Sequence, residues 1–133
     1  MNSLTTEVPE LWVGHTLVAE FQGLITSRDV WATKVRLCRR QRHNKHMKSA
    51  LIRYERAVML LDNAQASGLA AARQRMSLPC PVVFVVPSHI LDGCRAACVR
   101  AAAMGLVRGA FCEYEQGLAW VQEMGEIHRL LSS

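Results

Sequence analysis

Pro81-Val82-Val83-Phe84-Val85-Val86-Pro87 is the stretch that decides the fold. Between its prolines run five β-branched or aromatic residues without a polar break. Such a run suits a strand that is apolar on both faces, and that requires helices on both sides of a sheet. It predicts a central strand with the rest of the chain folded around it.

The chain of 133 residues is long enough for one domain with a real core and too short for two. Half of it is hydrophobic and 20% is charged, the balance of an ordinary globular protein. No apolar run approaches the ~20 residues of a membrane-spanning helix, so an integral membrane protein is not expected. Residues 1–9 are polar, end in Pro9, and lack both the basic start and the apolar middle of a secretory signal. We read them as a loose leader, residues 10–131 as the single domain, and the protein as cytoplasmic. The cysteines (Cys38, Cys80, Cys94, Cys98 and Cys112) are odd in number and scattered through predicted helices and strands. That usage suits small buried hydrophobes in a reducing compartment better than a disulfide framework.

In chain order, Leu11-Trp12-Val13 followed by Gly14-His15 predicts a short strand and a turn. Thr16 to Gln22 alternates, with Leu17, Ala19 and Phe21 on one side, which predicts a second strand paired with the first as an edge hairpin and ended by Gly23. Thr26 or Ser27 can cap a helix with Asp29 in its first turn, running to about Arg42. Trp31, Val35 and Cys38 fall at helical spacing and are expected to face the sheet. Ser49 to Glu55 reads as a strand with Ala50, Ile52 and Tyr54 on one side and Leu51, Arg53 and Glu55 on a more exposed one. A second helix is predicted from Leu60 or Asp62 to about Met76, with Gly68 costing up to ~1 kcal/mol unless packing is tight there. After the Pro81–Pro87 strand, Ser88 is expected to cap a third helix that reaches Met104 and stops at Gly105. Leu106 to Cys112 predicts a last strand, and Glu113 or Tyr114 opens a final helix. The order β-β-α-β-α-β-α-β-α predicts an α/β domain, a mostly parallel five-stranded sheet with four helices on its two faces.

Several phrases carry a resemblance. Ile52-Arg53-Tyr54-Glu55-Arg56-Ala57-Val58, Pro81 to Val86, Gly105-Leu106-Val107-Arg108-Gly109-Ala110-Phe111 and Glu115-Gln116-Gly117-Leu118-Ala119-Trp120-Val121 occur in an order that resembles the SpoIIAA-like fold. STAS domains, the anti-sigma-factor antagonists, share that fold, and lipid-binding SEC14 domains have it in related form. The chain looks most like small stand-alone bacterial proteins of this kind. The antagonists carry an Asp-Ser-Ser-Gly type motif opening the second helix, whose serine before glycine is phosphorylated. Ser67-Gly68-Leu69 is the nearest match, with Asp62 displaced and Ala66 where another serine is expected. The resemblance implies Ser67 as a phosphosite, where added negative charge would disrupt a partner surface. The other reading is a small serine packing inside a helix.

Charge is uneven along the chain. Seven of the sixteen Lys and Arg residues, Lys34, Arg36, Arg39, Arg40, Arg42, Lys45 and Lys48, lie between 34 and 48, with His43 and His46 among them and no acidic residue. A surface built on Arg39, Arg40, Arg42, His43, Lys45, His46 and Lys48 could take nucleic acid or an anionic lipid. The same residues also complement a helix C-terminus and need no ligand for that. No aromatic residue is interleaved through 39–48 to stack bases. His43 and His46 stand among repelling cations, and Cys94 and Cys98 lack the second pair a zinc site needs, so no metal is expected. In open α/β sheets ligands bind beyond the carboxyl ends of the strands, which points to a cleft around Arg56, Ser88 and His89. Ser88 is equally an ordinary helix cap.

No phosphate-binding glycine loop, nucleophile elbow or close carboxylate pair occurs, so no catalytic residue and no cofactor are assigned. The reading is a non-enzymatic binding or regulatory module acting through a protein partner, as a monomer or a homodimer. An anion binder using the 34–48 segment and a small-ligand site at the strand ends are its alternatives.

Overall fold

The computed structural model describes residues 9–59 and 78–132. Five strands, β1 (Glu10–Val13), β2 (Thr16–Ile25), β3 (Ser49–Met59), β4 (Val82–Val85) and β5 (Arg108–Phe111), lie in that order across one sheet. β1 runs antiparallel to β2, and the other neighbours pair in parallel, so the sheet is mixed. Among the described residues there are three α-helices, α1 (Ser27–His43), α2 (Leu91–Ala103) and α3 (Tyr114–Ser132), rather than the predicted four. The helix predicted from 60 to 76 lies outside the described residues.

A strand order equal to the chain order sends every crossover the same way and sorts the helices by face. α1 and α2 cover one side, packing Val30, Leu37, Leu91 and Cys94 against Leu17, Phe21, Ile52, Tyr54 and Phe84. Among the described residues only α3 covers the other, with Val121, Leu118 and Trp120 against Val18, Leu51, Val83 and Val85. Val83 and Val85 are both 0% exposed, as expected of a ribbon dry on both faces. β4 is interior, yet the middle strand is β3, because β4 has only β5 beyond it.

Local chemistry accounts for the helix ends. Thr26 closes a capping box with Asp29: the Asp29 carboxylate accepts from the Thr26 amide at 2.8 Å, and the Thr26 hydroxyl accepts from the Asp29 amide. α2 ends before Gly105, whose φ of +82° is the left-handed turn that stops a helix. Where β2 and β3 begin, Thr16 and Ser49 stand opposite each other and share a 2.7 Å hydrogen bond, which satisfies two buried hydroxyls.

Several expectations are corrected. β2 does not end at Gly23; it continues to Ile25, pairing Gly23 with Ala57, and β3 likewise runs past Glu55 to Met59. An extra residue in β3 opposite Glu20–Gln22 shifts the register of the pair, which then continues to Ile25 and Met59. The sheet-facing side of α1 is Val30, Thr33, Leu37 and Cys38, one position round from Trp31 and Val35, which stay half-buried. Each residue turns a helix by about 100°, so a one-residue error moves the stripe by that much. Ser88 does not cap α2. It opens a 3₁₀ turn, Ser88–Ile90, and the position before α2 makes no side-chain cap hydrogen bond.

Candidate functional site

At the carboxyl end of the strands, β2 and β3 project past β1 and β4 as a two-stranded ribbon. On the α3 side, Arg53 lies 3.4 Å from the Glu20 carboxylate, pairs with Glu55, and stacks its guanidinium 4.1 Å over the Tyr114 ring. The Glu55 hydrogen bond, then the negative charges around it, push the Arg53 guanidinium up from its ordinary value. Arg56 reaches Glu20 at 3.7 Å while its side chain stays 66% exposed. The arginines and carboxylates here neutralise one another. Beyond them Leu24 and Val58 face each other in register and are 67% and 56% exposed.

The cleft expected from Arg56, Ser88 and His89 gains little from this arrangement. Arg56 is engaged by Glu20, and Ser88 and His89 stand exposed in the short 3₁₀ turn. Ser67 lies outside the described residues.

The basic segment is divided by the structure. Arg36 and Arg40 turn to Glu10 on β1, at 2.7 and 3.0 Å. Arg39, Arg42 and His43 are exposed along the end of α1. Because α1 stops at His43, His46 is not on its face; it stacks instead on His15, ring centroids 6.1 Å apart. Lys45 and Lys48 line a hollow of about 400 Å³ at the amino end of the strands, together with Gln41, His128 and Arg129. The last two come from α3, and the sequence reading did not connect them with the segment. Their signal was topological: a helix following a parallel strand returns its C-terminus to the strand's amino end.

A larger hollow, about 630 Å³, lies between α1 and α2 over Ile52, Tyr54, Val82 and Phe84. Leu78, the first described residue after 60–77, also lines it. The hollow therefore borders residues 60–77, which lie outside the described residues, and no site is assigned to it. Among the described residues no group of three or more His, Cys, Asp and Glu could hold a metal ion. Cys98 is buried and Cys94 half-buried on α2. No helix among them is long and apolar enough to cross a membrane.

No protein-family model matches the chain, and no curated protein matches it by sequence. By structure, it is similar to the anti-sigma factor antagonist SpoIIAA in its unphosphorylated form, with a TM-score of 0.54 over 87% of this chain and 98% of that one. The fold is SpoIIAA-like. Identity with SpoIIAA is 13%, so what the two chains share is the layout of sheet and helices. In the chain, β3 is followed by the segment that carries Ser67.

Proposed function

We propose that this chain is a STAS-like regulatory module that works by docking to a protein partner. The likeness to SpoIIAA, an anti-sigma factor antagonist, carries the reading. The ribbon tip supports it: Leu24 and Val58 present an apolar centre, with the Glu20, Arg53, Glu55 and Arg56 charges beside them. An apolar centre with a polar rim is the usual composition of a docking surface.

The test is affinity capture from a bacterial lysate with three baits, read by mass spectrometry. The native chain is expected to hold a protein that Leu24→Asp/Val58→Asp releases. Identical sets on both baits would end the reading. The third bait carries Ser67→Asp; release there makes Ser67 the switch, and retention leaves it the packing serine of the other reading. Light scattering of the native chain shows whether a second copy occupies the same tip.

A further inference from the structure

We infer that the hollow at the amino end of the strands is a binding site for a small organic anion, held by Lys45, Lys48 and Arg129. This inference is independent of the docking surface, which lies at the opposite end of the sheet.

Elements remote in sequence converge there. Lys45 and Lys48 come from the turn between α1 and β3, and His128 and Arg129 from the last turns of α3. Glu126 is the carboxylate at the rim, 3.7 Å from Lys48 and hydrogen-bonded to Arg129, and those cations hold it below the usual carboxylate range. Lys45 makes no ion pair among the described residues. Three fixed cations against one carboxylate leave a formal excess of two positive charges. The carboxyl ends of α1 and α3 offset roughly half a charge each. The surplus survives that correction.

Elsewhere the excess is smaller: Arg53 and Arg56 are matched by Glu20 and Glu55, and Arg36 and Arg40 share Glu10, which leaves one formal positive charge there. Arg39 and Arg42 stay on the outer side of α1 and do not line the hollow. A concentrated surplus at a concave spot favours a compact ligand over a long polyanion, which needs cations spread along a track.

The wall says what else the ligand carries. Met47, Pro79 and Cys80 provide an apolar lining, and burial pushes the Cys80 thiol up to about 11, so it stays neutral. Arg108 donates to the carbonyls of Leu78 and Cys80 at 2.8 and 3.1 Å, which fixes the loop that forms this wall. About 400 Å³ falls in the lower part of the range of small-molecule sites, roughly 300–1,000 Å³. A phosphate or carboxylate on a small apolar body matches cations at the rim and an apolar wall behind them.

Amide spectra of the full chain, titrated with phenyl phosphate, inorganic phosphate and a short DNA duplex at low ionic strength, test this. Phenyl phosphate is expected to shift the amides of Lys45, Lys48, Gly125 and Arg129, and to bind more tightly than inorganic phosphate. Lys45→Gln and Arg129→Gln, both at the surface, should each weaken it about tenfold, the effect of one charge-assisted hydrogen bond. Arg28→Gln, at the far end of α1, should leave it unchanged. The inference is overturned if the shifts are absent or scattered, or if Arg28→Gln weakens binding as much as Lys45→Gln. Tighter binding of the duplex, with shifts spread over 36–48, would replace it with a nucleic-acid surface.

Discussion

The two faces of this sheet are filled by opposite means. On the α1/α2 side large side chains stand up from the strands: Phe21 stacks on Tyr54 at 4.9 Å, and Tyr54 lies 6.4 Å from Phe84. On the α3 side the helix itself comes down onto the sheet. Its buried line is Gly117, Val121 and Gly125, spaced four residues apart. A Cβ added at Gly117 would stand 3.1 Å from Val85, and one at Gly125 would stand 3.2 Å from the Lys48 carbonyl and the Ser49 Cβ. One face therefore depends on volume present and the other on volume absent. Deletions should hurt the first and additions the second.

The largest effect is expected from Phe21→Ala. Phe21 is 2% exposed, and removing a ring from such a site costs about 3–5 kcal/mol. Urea unfolding measures this directly; a loss below about 1 kcal/mol would mean the aromatic stack adds little to that face.

A pH effect on the same face comes next. Burial raises the Cys80 thiol from 9.0 to about 11, so the folded chain holds that proton more tightly than the unfolded one. This contribution is complete below about pH 9 and is lost as pH rises through 11, up to roughly 2–3 kcal/mol. Stability measured across that window should fall less steeply in Cys80→Ala than in the native chain. Parallel curves would show that the thiol does not titrate in this way.

Gly125→Ala is the smallest of the three and the sharpest test of the close-packed face. Overpacking against the Lys48 carbonyl costs about 1–3 kcal/mol, and the gain in helix propensity returns up to about 1. A net loss of about 1–2 kcal/mol is expected on unfolding. A stabilised variant would mean that α3 has room to lift off and that its glycines are not spacers.

Much of this layout was legible in the residues. The run 82–86 reads as a ribbon buried on both sides because nothing in it is polar, and Ala50, Ile52 and Tyr54 declare their common side by strict alternation. Thr26, Asp29 and Gly105 mark helix ends by local hydrogen bonding and backbone preference, which depend on neighbours only a few residues away. The candidate sites were less legible. Lys45 and Lys48 stood out as part of a charge run, but their association with Arg129 depends on where α3 ends. Arg36 and Arg40 read as free cations until Glu10 was brought across from β1. The role of Gly117 and Gly125 was not legible at all, since spacing alone cannot show that a strand lies a few ångströms away.

By itself the sequence determined the element types across the described residues, the two-sided burial of β4 and the uneven distribution of charge. These follow from short-range stereochemistry and from the need to keep apolar side chains out of water. Only the tertiary structure decided that β3 is the middle strand, that α3 lies on the face opposite α1 and α2, and which cations meet a carboxylate. Those outcomes depend on through-space distance between residues remote in the chain. Coulomb attraction and steric exclusion act on that distance, and sequence separation does not encode it.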